Sequence, residues 1–322
     1  MKQLLAAMAM LSVFSVANAD TVKIDGSSTV FPITEGVAED FQKETKHKVT
    51  VGVSGTGGGF KKFCRGETDI SNASRPISQK EIDECKKQGI TFYELPVAFD
   101  ALTVVISPRN DFIKQLTVPE LKTLWSAESQ GKITRWNQVN PAFPDRPIAL
   151  FGPGADSGTF DYFTEAVNGK SKSSRGDFTA SEDDNVLVQG VANNPLGLAY
   201  FGYAYFAENS KRLKAVPIVN AEGKTVTPSD ATVMDGSYNP LSRPIFIYVN
   251  SKSLEKPEVR QFVEYFMKHA AKISSEVKYV PLPSKVYSSN LQHIQKGRVG
   301  TIFGGKNLVG LTVDQLVNME VK

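Results

Sequence analysis

Cysteine is almost absent from this sequence: among 322 residues there are two, Cys64 and Cys85, and histidine adds only His47, His269 and His293. Borderline-soft metal ions draw their ligands from these residue types, and with the three histidines far from one another the pattern excludes an ordinary metal centre. An excess of one charge is also missing. The 37 Lys+Arg against 34 Asp+Glu leave a formal +3, spread along the chain with no basic or acidic tail. Electrostatic capture of nucleic acid or of a membrane surface is therefore not indicated. Beyond the first nineteen residues no apolar run approaches the ~18 residues that a spanning helix needs. Signatures of covalent chemistry are lacking too. Gly55 to Lys61 lacks the Gly-Lys-Ser/Thr order of a P-loop, and neither a Gly-x-Ser-x-Gly elbow nor a serine, histidine and acid set appears.

The N-terminus carries Lys2, an apolar run from Leu4 to Val16 and the small-residue site Ala17-Asn18-Ala19. This pattern predicts a signal peptide over 1–19, cut after Ala19 so that the mature chain begins at Asp20. With no cysteine just after the run, a lipid anchor is not expected. An exported chain meets an oxidising compartment, so a disulfide between Cys64 and Cys85 is expected. It would close a loop of about twenty residues and stabilise the fold by roughly 3 kcal/mol through chain entropy. The remaining length of about 300 residues suffices for two domains.

Helical and strand patterns alternate in the manner of an α/β protein. Val30, Ile33, Val37 and Phe41 form a helical stripe; Val49, Val51 and Val53 alternate as a half-buried strand. Ser78 with Glu81 and Thr117 with Glu120 read as capping boxes, and Leu102 to Ile106 between those helices as a buried strand. Ile148 to Phe151 reads as a strand leading into a glycine-rich stretch, and Phe160, Phe163 and Val167 as the helix after it. Ser181 with Asp184 reads as a third cap. Ile245 to Val249 reads as a strand, followed by a core stripe at Val259, Phe262, Val263, Phe266 and Met267.

Three places share one design, in which a loop of glycine and hydroxyl residues joins a strand to a helix: Asp25-Gly-Ser-Ser-Thr29, Ser54-Gly-Thr-Gly-Gly-Gly59 and Asp156-Ser-Gly-Thr159. Taken singly, each also reads as an ordinary cap or turn. Converging, their backbone N–H groups, hydroxyls and helix N-termini would cage an oxyanion.

At these residues the sequence resembles the phosphate-binding proteins of ABC-type phosphate transporters. The matching stretches are Gly26-Ser-Ser-Thr-Val-Phe-Pro32, Gly55-Thr-Gly-Gly-Gly59, Ser157-Gly-Thr159 and Tyr279-Val-Pro-Leu-Pro283, and the likeness covers essentially the whole mature chain. It looks especially like the branch carrying Ser74-Arg-Pro-Ile77 and Ser181-Glu-Asp-Asp-Asn185. The resemblance implies a two-lobed, type II-like periplasmic-binding fold with a ligand cleft between lobes that close on binding. Where crossing strands would fit, 20–104 and 244–322 form lobe I and 105–243 lobe II. It further implies capture of inorganic phosphate in the periplasm and delivery to a permease and ATPase, by a protein that is a monomer, uses no cofactor and is no enzyme. Receptors for sulfate, arsenate or a phosphate ester, and a secreted phosphatase, are the rival readings.

Carried over by position, the anion contacts fall on Ser28, Thr29 and Val30, on Thr56, and on Ser157, Gly158 and Thr159. Two family features are missing. The aspartate that accepts the proton of hydrogen phosphate is replaced by Arg75, and the arginine before the third loop by Pro153. Arg75 is thus expected to supply the cation, with Arg175 a second candidate, because a guanidinium offers a planar, permanently charged fork. Asp100 is the candidate replacement for the proton acceptor, with Asp156 and Asp25 behind it.

Overall fold

The computed structural model describes residues 21–320; the leader and Asp20 lie outside the described residues. Eight strands form one continuous path, in the order Lys48–Val53, Thr21–Gly26, Ile70–Ala73, Ser242–Asn250, Phe92–Ile106, Gly197–Gly202, Ala149–Pro153, Thr179–Ser181. Parallel pairs lie at both ends of the path, and the two long strands at its middle are antiparallel. The result is an α/β protein of two lobes.

The centre of the path explains the lobes. Phe92–Ile106 is buried along its whole length. Its first part pairs with Ser242–Asn250, Phe92 opposite Asn250 and Ala101 opposite Ser242. From Leu102 onward it pairs instead with Gly197–Gly202. One strand thus serves two sheets, changing partner between Ala101 and Leu102. The run Leu102-Thr-Val-Val-Ile106 is apolar on both faces because helices cover both. Val104 joins the main core with Trp125, Phe163 and Tyr200, whereas Val105 faces Leu187, Val188 and Val191 across the sheet. On the first side the aromatic rings lock together, with Trp125 edge-on to Tyr200 at 4.8 Å.

In the other lobe, helix Pro257–Glu276 buries Val259, Phe262, Val263, Phe266 and Met267, as their spacing predicts. It packs on helix Phe31–Thr45 through an edge-on Phe41–Phe262 contact at 5.3 Å. Fully burying a side chain of this size is worth about 1.5–3 kcal/mol. Both expected capping boxes form, Ser78 with Glu81 and Thr117 with Glu120.

Two local expectations are corrected. The cap of helix Asp184–Asn193 is Asp183, whose carboxylate accepts from the Asn185 amide at 2.9 Å. Ser181 belongs to the preceding strand, so its hydroxyl serves the Asp183 amide instead. The second glycine run is not a loop either, since helix Gly55–Phe63 begins within it. The glycines let that helix lie against the end of the first strand: a Cβ on Gly59 would stand 2.5 Å from the Gly26 Cα.

Cys64 and Cys85 form a disulfide. It ties the end of helix Gly55–Phe63 to helix Gln79–Lys87. Replacing both cysteines by serine is expected to lower the unfolding free energy by about 3 kcal/mol in a urea titration. An unchanged urea midpoint would show that the native contacts alone fix these helices.

Candidate functional site

The three glycine and hydroxyl segments meet. Thr29 Oγ1 lies 3.1 Å from Thr159 Oγ1, linking the first segment to the third. Thr56 Oγ1 lies 3.1 Å from Ser74 Oγ and accepts from the Ser74 amide. Gly158 sits against that pair, because a Cβ there would come within 2.5 Å of Thr56 Oγ1 and 2.6 Å of Ser74 Oγ. Four buried hydroxyls, from Thr29, Thr56, Ser74 and Thr159, therefore surround the first turn of helix Gly158–Asn168. Ser157 caps that helix by accepting from the Thr159 amide at 3.1 Å. Val30 is fully buried at the N-cap of helix Phe31–Thr45. Two tyrosines fix the first segment from behind: Tyr205 donates to the Ser28 carbonyl at 3.1 Å and Tyr279 to the Thr29 carbonyl at 2.6 Å.

The cation nearest these hydroxyls is Arg243, on the crossing strand Ser242–Asn250 and 0% exposed. It donates to the Gly158 carbonyl at 2.8 Å and to Thr159 Oγ1 at 2.7 Å. Asp100 is its direct partner across the two crossing strands and accepts through Oδ2 at 3.1 and 3.3 Å.

Arg75, 6% exposed, is held between carboxylates. Its Nε donates to Asp161 at 2.6 Å, its two terminal nitrogens to Glu81 at 2.8 Å each, and one also to the Pro76 carbonyl. Asp161 lies one turn into helix Gly158–Asn168, so this pair crosses between the segments that carry Ser74 and Thr159. Arg175 has other partners: Asp177 and the carbonyls of Leu124 and Ile133. Asp25 pairs with Lys62 at 2.6 Å and Asp156 with Lys61 at 2.8 Å. Beyond the Arg75–Asp161 pair opens a cavity of about 950 Å³ whose lining includes Phe60, Lys61, Lys172 and Lys306.

Burial raises several carboxyls here. Asp184 is pushed up to about 7, its Ser28 hydrogen bond only partly opposing the loss of solvent. Asp100 rises to about 6, with Arg243 pulling it back. Elsewhere in the fold, Glu94 rises to about 7 behind Tyr248, and Glu320 to about 8.

Arg243 escapes the reading of motifs, while Ser74 and Asp184 enter it only within matching stretches or a cap, with no place in the site. A signal for Arg243 exists, since Ser-Arg-Pro-Ile occurs twice, at Ser74–Ile77 and at Ser242–Ile245. Each copy delivers one buried arginine to the same helix. Asp184 reads as part of a cap, and only the packing of its helix on the first segment brings it to Ser28.

Two outcomes follow from this arrangement. Asp100→Ala strands a buried guanidinium and is expected to lower the unfolding free energy by about 3–5 kcal/mol in urea; a loss under ~1 kcal/mol would mean that water replaces the carboxylate. The raised carboxyls act together on pH dependence. Each binds more protons folded than unfolded, so its stabilisation is fully present below its ordinary value near 4 and is lost as pH rises through about 6–8. The thermal midpoint in phosphate-free buffer is expected to fall between pH 5 and pH 8. A rising midpoint would show that these groups are ionised and well paired.

The sequence matches the PBP superfamily domain over residues 15–269. It is 51% identical to Protein SphX of Synechococcus elongatus over 300 residues, 93% of this chain and 88% of that protein. Identity is 40% to the phosphate-binding protein PstS of Staphylococcus saprophyticus, over 88% of this chain and 85% of that one. A crystal structure described as a possible phosphate binding protein from Planctomyces limnophilus superposes with a TM-score of 0.63 at 49% identity, covering 86% of this chain and 98% of its own. With four converging hydroxyls, two buried arginines and a crossing strand between two lobes, the chain belongs to the PstS family of phosphate-binding proteins within the PBP superfamily.

Proposed function

We propose that this protein captures inorganic phosphate outside the cytoplasm and delivers it to the membrane permease and ATPase of an ABC-type importer. The observation that carries this reading is the meeting of three segments from different parts of the chain around Gly158 and Thr159, with Arg243 buried beside them. A tetrahedral oxyanion needs many short hydrogen bonds from a site that excludes water, and a charge-assisted bond is about twice as strong as a neutral one. The hydroxyls of Thr29, Thr56, Ser74 and Thr159 and the helix start at Gly158 are the proposed donors, with Ser28 a further contact in the first segment and Arg243 the proposed cation. The PstS relative, whose name states phosphate binding, supports the choice of anion.

The lobes are proposed to divide where Phe92–Ile106 changes partner, between Ala101 and Leu102, and near Ser242 on the return. The proposed cargo leaves chemically unchanged, as a receptor requires. Export through the leader and cleavage after Ala19 belong to this reading, and the Cys64–Cys85 disulfide fits an oxidising compartment. A monomer suffices, since both halves of the proposed site lie in one chain.

Calorimetric titration of anion-stripped protein with phosphate, sulfate and arsenate tests the reading, with Arg243→Ala, Arg75→Ala and Gly158→Ala alongside. Phosphate is expected to bind tightly and sulfate weakly. Gly158→Ala should abolish binding, because its Cβ would strike Thr56 and Ser74. Arg243→Ala should weaken binding more than Arg75→Ala, whose guanidinium is spent on Glu81 and Asp161. The reverse order would move the cation to Arg75. Equal affinity for sulfate would make the protein a general oxyanion receptor, and release of product from a chromogenic ester without phosphate binding would make it a phosphatase.

A further inference from the structure

We propose that Asp184 sets the anion selectivity of the site by holding the hydroxyl proton of Ser28, so that Ser28 meets the bound anion as a hydrogen-bond acceptor. The inference rests on the phosphate-binding reading and adds to it the residue that reads the anion's own proton.

The geometry comes first. Ser28 Oγ donates to Asp184 Oδ2 at 3.1 Å in a buried contact between residues 156 positions apart. A serine hydroxyl has one hydrogen and two lone pairs. Once that hydrogen is committed to an ionised carboxylate, the oxygen has only lone pairs to offer elsewhere. Ser28 stands beside Thr29, whose own hydroxyl meets Thr159, and its backbone is pinned by Tyr205. The backbone from which the Ser28 hydroxyl projects is thus held in place beside the third segment.

Facing a lone pair has opposite consequences for two similar anions. Hydrogen phosphate carries an O–H and can donate it to Ser28 Oγ. Sulfate is fully deprotonated at neutral pH, so one of its oxygens would face the serine lone pair with no hydrogen between them. An unmet buried polar contact of this kind is worth roughly tenfold in affinity or more. The selectivity disappears if Asp184 is neutral, because a protonated carboxyl can donate to Ser28 Oγ and free the serine hydrogen for the anion. Asp184 is already poised for that change by its burial. The groups that face it are Asp100 and Asp183, which favour its protonated form, Arg243, which opposes it, and the hydroxyls of Tyr205 and Tyr279.

The test uses sulfate, whose charge does not change between pH 5 and pH 8. With the native protein, sulfate affinity is expected to rise about tenfold from pH 8 to pH 5. In Asp184→Asn the amide can turn its NH₂ toward Ser28 Oγ, so sulfate affinity at pH 8 should rise by a similar factor and its pH dependence should flatten. The phosphate-to-sulfate ratio at pH 8 would then fall at least tenfold. A merely structural role for Asp184 would weaken both anions together and leave the ratio alone. An unchanged ratio in the folded variant overturns the proposal. Should the variant not fold, a flat sulfate profile in the native protein overturns it. Absence of phosphate binding by the native protein overturns the functional reading itself, a result distinct from either.

Discussion

Everything in this molecule turns on a buried ion pair between two neighbouring strands. Asp100 and Arg243 are direct partners on the two long strands at the middle of the sheet path, 1% and 0% exposed. Two ions taken out of water cost several kcal/mol each, and their attraction offsets this only where further hydrogen bonds complete the geometry. Here the completing acceptors are the Gly158 carbonyl and Thr159 Oγ1. The pair is thus satisfied only when the start of helix Gly158–Asn168 is in place beside the crossing strands. The interaction that stabilises the centre also positions the site.

The second arginine repeats this logic nearer the surface. Arg75 binds Glu81 of its own lobe and Asp161 of the other, with the guanidinium 5.7 Å above the Phe60 ring. Nearby, Lys61 and Asp156 also bridge the lobes, but with 63% and 41% of their side chains exposed they contribute at most about 1 kcal/mol. Arg75 and Asp161, at 7% and 2%, are shielded from such screening. Of these two contacts the buried pair is the less screened, and the Gly57 amide bonded to the Asp156 carbonyl at 2.8 Å adds a backbone link beside them.

Much of this was legible beforehand. Apolar periodicity marked the helix Pro257–Glu276 and the strand at Leu102 to Ile106, because a buried face leaves a spacing that composition cannot disguise. Capping boxes at Ser78 and Thr117 were legible for a similar reason: their partners are three residues away. The cap at Asp183 was misplaced onto Ser181 because several short polar residues in Ser181–Asn185 can each fill that role, and only the strand that ends at Ser181 decides among them. The glycine run at 55–59 looked like a loop because glycine is a poor helix former, and close contact with Gly26 outweighs that preference.

What the sequence by itself determined is therefore the local chemistry: hydroxyl and glycine segments at helix starts, two cysteines able to pair, alternating α and β elements, and the family to which they belong. Tertiary structure decided the partners. Arg75, Arg175 and Arg243 look alike in sequence, yet one bridges the lobes, one braces Asp177 and one reaches Thr159. Asp100 and Asp184 look like turn and cap residues until folding buries them against Arg243 and Ser28. The reason is the range of the forces. Caps and periodicity are set by neighbours within a turn, whereas a buried charge takes its meaning from whichever distant group satisfies it.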